Sequence, residues 1–383
     1  MNILYHRYAE LIVRKALKLK PGDVLSINTE EEHSSFAHLV SDFAARATGN
    51  GSYIQIIENG KVTSSEEAST DYPIVKKPSA LLYLQSYKSY PEYEEHKVYN
   101  APELQAFRLL SEPVGNPVPS IPYAVAPIPS KEWAEVLDDE ADDERLSLSL
   151  ISELFSLSED DFLDEYDSKE DIMLYECEKL NKIKFVKGRI FNEEGNDLSF
   201  ELKKDAKFFS SIETTSSSRR FVPSIFFSDI FTYLDPSKIE GYLNITQPIL
   251  LFGKKINNLS VVFKEGRAVS FDADRVLGEA FKLYLEQDKD AGAASMLTIV
   301  EDNNPASLIG FTGYPIWDRM RGVSITLGGP KDVPGYLTEE DMDKNPIVSL
   351  SLPIGSDSTT IILEDENGNE YTVYEDGIIL EEE

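Results

Sequence analysis

The 383-residue sequence predicts an α/β amino-terminal domain, built around a βαβ unit like half of a Rossmann fold, followed by a β-rich α+β carboxy-terminal domain. Two observations favour this order. Strand, helix and strand signals follow one another before residue 60. Beyond residue 183 the pattern changes to short apolar runs separated by turn residues. Because the chain is long enough for two substantial cores, we expect domains over residues 1–182 and 183–383.

The amino-terminal domain begins with a helix, because apolar residues recur there at helical spacing. These residues are Tyr8, Leu11, Ile12 and Ala16. Pro-Gly-Asp at 21–23 then turns the chain into a strand over 24–28. A helix starts at about Ser35 and ends at the Gly-Asn-Gly of 49–51, and a strand over 52–57 follows.

The middle of the chain is mostly helical in pattern. Helices are predicted over 104–110, 151–155 and 169–180. The proline-rich run over 113–129 is interpreted as an ordered connector rather than a domain linker. Trp133 follows it, and we expect this side chain to anchor the core rather than to stack on a ligand.

The carboxy-terminal domain consists mainly of short strands. Lys-Glu-Gly at 264–266 is a turn between two apolar runs. Asn367-Gly368 predicts a tight hairpin between strands over 360–363 and 371–374. One helix, over 276–285, interrupts the strands.

The net charge limits the classes of partner. The chain has 37 basic and 68 acidic residues, which gives a net charge of -31. Nucleic acids and anionic membranes bind basic surfaces, so we expect neither as a partner. A single cysteine, Cys177, excludes an intramolecular disulfide and indicates a structural thiol in a reducing compartment. No signal peptide or transmembrane stretch is recognisable, so the sequence predicts a soluble cytoplasmic protein.

Two features argue against a nucleotide site and against histidine metal ligands in the first quarter of the chain. The loop after the first predicted strand, Thr29-Glu30-Glu31-Glu32, has three acids and no glycine, which is unsuited to a nucleotide phosphate. His33 and His38 are five residues apart, so they do not share one helical face, and we expect surface positions for them. The other two histidines, His6 and His96, also precede residue 100, so a metal site in the carboxy-terminal half would have to consist of carboxylates.

The segment over 221–236 is too apolar for a surface loop, and we expect it to be extended and largely buried. It reads Phe-Val-Pro-Ser-Ile-Phe-Phe-Ser-Asp-Ile-Phe-Thr-Tyr-Leu-Asp-Pro. This resembles the motif Phe-Val-Pro-Asn-x-Pro-Thr-Glu-Glu-Val-Phe-Thr-x-Pro of the aminopeptidase T/aminopeptidase S family of thermophilic-type metallopeptidases. The matching residues are Phe221, Val222, Pro223, Phe231 and Thr232. The metal-ligating second Glu of the family motif falls on Asp229, and the Glu before it falls on Ser228.

Two further segments resemble family motifs that carry metal ligands. Residues 295–300 resemble Gly-Glu-Val-Ala-Leu-Val, so a second ligand Glu falls on Met296. Residues 318–328 resemble Asp-Glu-Asn-x-x-x-His-x-x-x-Gly, with Asp318 and Gly328 kept. The His position of that motif is Ser324, and the family's Tyr seven residues later falls on Lys331.

The closing family motif, His-x-Asp-x-x-Ile-Gly-Ser, resembles residues 349–356. Its Ile-Gly-Ser is kept at 354–356, but its two ligands fall on Ser349 and Ser351. The resemblance assigns six positions to the metal site, namely Asp229, Met296, Ser324, Lys331, Ser349 and Ser351. Among these six, only Asp229 is a carboxylate. A catalytic divalent ion needs about three His, Asp, Glu or Cys ligands, so the resemblance implies a degenerate metal site.

The resemblance also implies that these six positions converge on one pocket. We therefore expect the Lys331 ammonium to pair with Asp229 where the family holds metal ions, with the serines around it. A sharper variant makes Ser324 a nucleophile with Lys331 as its base.

The predicted function is that of a non-catalytic aminopeptidase T-like protein with a peptide-binding or assembly role and no cofactor. The resemblance implies a homodimer. One alternative is a metal-dependent aminopeptidase that binds two zinc or cobalt ions through other acids, such as Glu301, Asp302 or Asp318. A second alternative is a non-metal hydrolase that uses the Ser-Lys pair.

Overall fold

The computed structural model describes residues 2–58, 61–68, 72–74, 77–85, 87, 119–252, 254–328, 349–355 and 357–380. These residues divide into two compact units. The amino-terminal unit comprises the described residues up to 87, those over 119–170, and the segment 211–227. The carboxy-terminal unit comprises 171–210 and the described residues from 228 onwards. The domain boundary at residue 182 stays a prediction.

The helices are α1 (Ile3–Leu11), continued by a π-helical turn (Ile12–Ala16), α2 (Ser34–Thr48), α3 (Lys131–Leu137), α4 (Arg145–Leu154), α5 (Phe162–Leu180), α6 (Arg275–Gln287), α7 (Pro305–Ile309) and α8 (Pro315–Asp318). A short 3-10 turn (Glu31–His33) precedes α2. No helix among the described residues is long and apolar enough to span a membrane.

The strands are β1 (Leu25–Thr29), β2 (Ser52–Glu58), β3 (Lys61–Ala68), β4 (Ala80–Gln85), β5 (Tyr123–Pro127), β6 (Phe185–Phe191), β7 (Asp197–Leu202), β8 (Phe209–Ser210), β9 (Glu213–Thr214), β10 (Arg220–Phe221), β11 (Ile230–Ile245), β12 (Ile249–Leu251), β13 (Lys254–Ile256), β14 (Leu259–Lys264), β15 (Arg267–Asp272), β16 (Ala294–Ile299), β17 (Val323–Gly328), β18 (Ser349–Gly355), β19 (Thr360–Asp365), β20 (Glu370–Glu375) and β21 (Ile378–Ile379).

A five-stranded sheet with the spatial order β3-β2-β1-β4-β5 forms the centre of the amino-terminal unit. β2 and β4 are parallel to β1, β5 is parallel to β4, and β3 is antiparallel to β2. α2 connects β1 to β2 and buries the apolar side chains of Phe36, Val40 and Ala44. It ends at Gly49, whose φ of 76° is the left-handed conformation that glycine favours. The predicted βαβ unit is confirmed.

The middle of the chain differs from its prediction in two respects. The described part of the connector predicted over 113–129 contains β5, which pairs with β4 at the sheet edge. Proline is tolerated there because an edge strand has backbone groups that need no ladder partner. The helices predicted at 151–155 and 169–180 are the ends of α4 and α5, which begin earlier; the helix predicted at 104–110 lies outside the described residues. Trp133 is buried in α3, as expected of a core anchor.

A twelve-stranded antiparallel sheet forms most of the carboxy-terminal unit. Its main path is β18-β17-β16-β11-β7-β6-β19-β20-β21, and β8, β14 and β15 branch from it. β11 pairs with β16 through its first residues and with β7 and β14 through its last. The hairpin predicted at Asn367-Gly368 joins β19 to β20, and the helix predicted over 276–285 is α6.

The motif segment over 221–236 is extended and largely buried, as predicted. Its second half forms the start of β11, which continues to Ile245. Asp229, immediately before this strand, is fully buried.

Candidate functional site

The strands β16, β17 and β18 bring four of the predicted site residues onto one face of the sheet. Met296 lies opposite Thr326, and Thr326 lies opposite Ser351. Side chains at directly opposed positions of antiparallel strands point to the same face. Ser324, two residues before Thr326, and Ser349, two residues before Ser351, share that face by strand alternation. Four residues that are distant in sequence therefore share one sheet face, and the convergence of all six positions on one pocket stays a prediction.

The five side chains named on this face are uncharged, and all of them except Met296 carry a hydroxyl. The hydroxyls of Thr326 and Ser351 lie 3.0 Å apart and form a hydrogen bond. Thr298, opposite Ser324, belongs to the same face. The hydroxyls of Thr298 and Ser349 are buried and have no hydrogen-bond partner among the described residues. Buried polar groups of this kind are usually satisfied by water or a ligand.

Asp229 is paired with an arginine. Arg319 Nη2 donates a hydrogen bond of 2.7 Å to Asp229 Oδ2, and neither side chain is exposed to solvent. Burial lowers the pKa of Arg319, and the neighbouring Asp229 acts in the opposite direction. An arginine stays charged at any pH at which a protein is folded, so the pair is a carboxylate held against a fixed cation.

Arg319 is the site residue that the sequence analysis missed. It follows Asp318, at the position where the family motif Asp-Glu-Asn has its Glu. The change from the family's Glu to Arg319 was the available signal in the sequence. Its role is recognised only from the contact with Asp229, 90 residues away. Lys331, the predicted partner of Asp229, lies outside the described residues, so that pairing stays a prediction. Ser228 is half-buried beside Asp229.

A second arginine stands beside Asp318. Asp318 Oδ1 accepts hydrogen bonds from Thr312 N at 2.7 Å and from Thr312 Oγ1 at 2.9 Å, and Arg321 Nε lies 3.5 Å away. Burial raises the pKa of Asp318, while Arg321 and the Thr312 hydrogen bonds lower it. Arg321 also donates to Pro248 O at 2.6 Å, which fixes the position of its guanidinium.

The other candidate acids contact the carboxy-terminal turn. Glu301 Oε1 accepts a hydrogen bond of 3.2 Å from Ile379 N. Asp302 N donates to Gly377 O at 3.0 Å, and a Cβ at Gly377 would lie 2.3 Å from Asp302 Oδ2. Within the described part of the chain, neither these acids nor Asp229 and Asp318 belong to a group of three or more potential metal ligands whose atoms lie within 4.8 Å.

Cys177 lies close enough to Asp229 for the two to interact electrostatically. The thiol is buried, and its pKa is raised to about 12, chiefly by burial and then by the negative charges of Asp229 and Glu176. A hydrogen bond with Ser210 acts in the opposite direction. A thiol with this pKa is protonated at neutral pH, which is the property of a structural cysteine.

Comparison with known proteins places this site in a family. A family model described as thermophilic metalloprotease (M29) matches residues 105–378. The chain belongs to the M29 family. This confirms the resemblance read from the motifs, and the M29 match includes Asp229, Met296, Arg319 and Ser324.

Two aminopeptidases are similar to almost the whole chain. Aminopeptidase 2 from Geobacillus stearothermophilus is 21% identical over 399 residues, which cover 97% of this chain and 96% of that protein. Aminopeptidase PepS from Streptococcus thermophilus is 23% identical over 410 residues, with the same coverage of 97% and 96%.

Solved structures share the fold. Wild-type AmpT from Thermus thermophilus superposes with a TM-score of 0.75 at 17% identity, covering 98% of this chain and 99% of that one. The 2,5-dihydroxypyridine dioxygenase from Pseudomonas putida KT2440 superposes with a TM-score of 0.58 at 11% identity, covering 100% and 99%. The architecture of an α/β sheet followed by a large antiparallel sheet is therefore that of AmpT.

Proposed function

We propose that this M29 family member is non-catalytic, with a degenerate metal site, and that it acts as a peptide-binding or assembly protein. The observation that carries the proposal is the buried pair of Arg319 with Asp229. Asp229 is the one carboxylate among the six positions that the family motifs assign to the metal site. A guanidinium 2.7 Å from its Oδ2 repels any cation that approaches the same oxygen.

The remaining positions do not fit a two-metal centre. A catalytic zinc site uses about three protein ligands of the His, Asp, Glu or Cys type and keeps a position for water. Met296 offers a thioether, which suits copper(I) rather than zinc, and serine hydroxyls are weak ligands. Replacing two cations by one arginine preserves a positive charge beside Asp229, so the fold can keep this buried acid without metal.

Peptide binding is the activity of the family that needs no metal. The named relatives are aminopeptidases, and this likeness is what supports peptide binding for the present chain. The fold does not by itself imply peptide chemistry, because it also occurs in a dioxygenase. We also propose that the protein is a cytoplasmic homodimer. It should bind neither nucleic acid nor membranes, because its net charge of -31 repels these anionic partners.

The test compares the metal content per chain of the wild-type protein with that of the Asp229→Asn variant. Pure protein is exposed to zinc or cobalt, dialysed, and analysed for metal per chain. We expect Asp229→Asn to leave the metal content unchanged, because Asp229 binds Arg319 and not an ion. A content close to two ions per chain that falls in Asp229→Asn would overturn the proposal, and aminopeptidase assays would then follow.

A reversion experiment gives the matched positive control. The variant that restores the family residues, Met296→Glu, Ser324→His, Ser349→His and Ser351→Asp, is combined with Arg319→Glu. We expect this variant to retain more metal than the same four changes with Arg319 intact, because the guanidinium has been removed. Equal metal in the two variants would show that Arg319 does not stand in for the ions.

A further inference from the structure

The chain carries a second group of potential metal ligands, far in sequence from the motif residues. Ligand atoms of Glu30, Glu32 and His33 lie within 4.8 Å of one another, and this is the one group of three or more such residues in the described ranges. Glu30 and His33 are half-buried and Glu32 is exposed. His33 Nε2 faces Glu32 Oε1 at 3.4 Å, so two of the donor atoms already point at each other.

The group stands at the carboxyl end of β1, at the centre of the parallel sheet. β2 lies on one side of β1 and β4 on the other, so the strand order reverses here. In open α/β sheets ligands bind in the crevice outside the carboxyl ends of the strands at such a reversal. The three residues occupy the turn between β1 and α2 that borders this crevice.

Asn28 supplies an independent observation. Glu30 directly follows β1 and keeps an extended backbone, with φ of -84° and ψ of 155°, so the side chains of Asn28 and Glu30, two residues apart, lie on the same side of the chain. Asn28 is only 7% exposed, and its Oδ1 is buried without a hydrogen-bond partner among the described residues. A buried amide oxygen is costly to leave without a partner, and amide oxygens are also ligands for divalent cations.

We infer that Glu30, Glu32 and His33 bind one divalent first-row metal ion, with Asn28 as a further oxygen donor. Two carboxylates and one imidazole suit zinc, cobalt or manganese. Metal-to-ligand distances of about 2.0–2.2 Å require the donor atoms to approach one another more closely than 4.8 Å, which rotation of the exposed Glu32 side chain and of the half-buried Glu30 side chain allows. The inference concerns the amino-terminal unit alone and does not rest on the proposed function.

The N-terminus of α2 offers a purely structural explanation for the acids that precede it. Carboxylates near the first turn of a helix are stabilised by the partial positive charge of its N-terminus, and Glu31 and Glu32 precede α2. That explanation needs neither His33 nor the buried oxygen of Asn28. It predicts that no ion binds, which a titration distinguishes directly.

The experiment titrates the full chain with cobalt(II) chloride, following the visible absorption of the bound ion and counting ions by elemental analysis. The variants are His33→Gln and Glu30→Gln. The matched control is His38→Gln, because His38 Nε2 also contacts a glutamate, Glu66 Oε1 at 3.1 Å, but without a third ligand within 4.8 Å among the described residues. Circular dichroism confirms that each variant is folded.

We expect about one ion per chain in the wild type and in His38→Gln, and binding weaker by roughly tenfold or more in His33→Gln and Glu30→Gln. No cobalt absorption in the wild type, or equal binding in His33→Gln, would overturn the inference. An ion that survives Asp229→Asn but is lost in His33→Gln supports it and leaves the proposed function intact. If two ions were lost in Asp229→Asn, that result would contradict the proposed function. If the same two ions were kept in His33→Gln, that result would contradict the present inference.

Discussion

At the residue scale the pair of Arg319 with Asp229 makes a sharp prediction about stability. Arg319→Met leaves the Asp229 carboxylate buried without its cation, which we expect to lower the free energy of unfolding by about 3–5 kcal/mol. Arg319→Met combined with Asp229→Leu removes both charges, and we expect it to recover most of that loss. Urea unfolding followed by tryptophan fluorescence measures both variants.

The fluorescence can be restricted to the unit that holds the pair. The chain has two tryptophans, and Trp317 is buried in α8, two residues before Arg319. A Trp133→Phe background therefore reports unfolding around the site. The control is Arg189→Ala, which breaks a bidentate but half-exposed pair with Asp197 and should cost less than about 1 kcal/mol. Equal losses in Arg189→Ala and Arg319→Met would contradict the importance of burial.

Cys177 gives a second residue-scale prediction, on reactivity and pH. With its pKa at about 12, the native thiol should react with a thiol reagent at pH 8 far more slowly than in urea, where one thiol per chain reacts. Above pH 9.0, the ordinary pKa, the unfolded thiol loses a proton that the native thiol keeps, so stability falls as pH rises from about 9 to 12. The stability of the Cys177→Ala variant, which has no thiol to ionise, should fall less over the same pH range. Rapid labelling of the native protein would contradict the burial.

How far the site could be predicted depends on the kind of contact involved. Met296, Ser324, Ser349 and Ser351 share one sheet face because the strand registers and strand alternation place their side chains together. The family motifs selected these positions, but the pocket of six positions that the resemblance implies stays a prediction. The partner of Asp229 could not be found in this way. Arg319 reaches it across 90 residues, and no local pattern selects one arginine among the basic residues for a buried contact.

At the element scale Gly241 in β11 is a position where the backbone allows no side chain. Its φ is 134°, and a Cβ there would lie 2.1 Å from Asp197 O in the neighbouring β7. Gly241→Ala should therefore separate β7 from β11 and cost about 3 kcal/mol or more. Gly195→Ala is the control, because Gly195 has a φ of 94° but nothing within 4 Å, so only backbone strain of about 1–2 kcal/mol is expected. Thermal unfolding of the two variants measures the difference, and a larger loss in Gly195→Ala would contradict this account.

The elements that could be predicted are those whose signal is local. The βαβ unit and the Asn367-Gly368 hairpin follow from hydrophobic periodicity and from glycines in positive-φ turns. The length of β11 does not, because Asp235-Pro236 is a pattern that usually ends a strand. The structure continues the strand through it by shifting register between Leu234 and Ile239, which leaves the proline outside the ladder with β7. Such a shift depends on the neighbouring strand and has no signal in the sequence of β11 alone.

At the scale of the whole molecule the dominant quantity is the net charge of -31. Surface ion pairs such as Lys187 with Glu364 contribute little to stability, because solvent screens them and salt weakens them further. Repulsion among the 68 acids, offset by only 37 basic residues, acts over the entire surface, and salt weakens this as well. Because acids exceed bases so strongly, relief of repulsion should outweigh the loss of ion pairs.

We therefore expect the midpoint of thermal unfolding to rise by several degrees between about 0.01 M and 0.15 M sodium chloride, where the Debye length falls from about 30 Å to about 8 Å. The same ionic strength set with potassium chloride should give the same rise, because screening depends on ionic strength and not on the identity of a monovalent cation. Chelator in all buffers keeps divalent ions from contributing through binding. A midpoint that falls with salt would mean that the paired charges outweigh the excess acids, and a rise with one cation alone would indicate specific binding instead of screening.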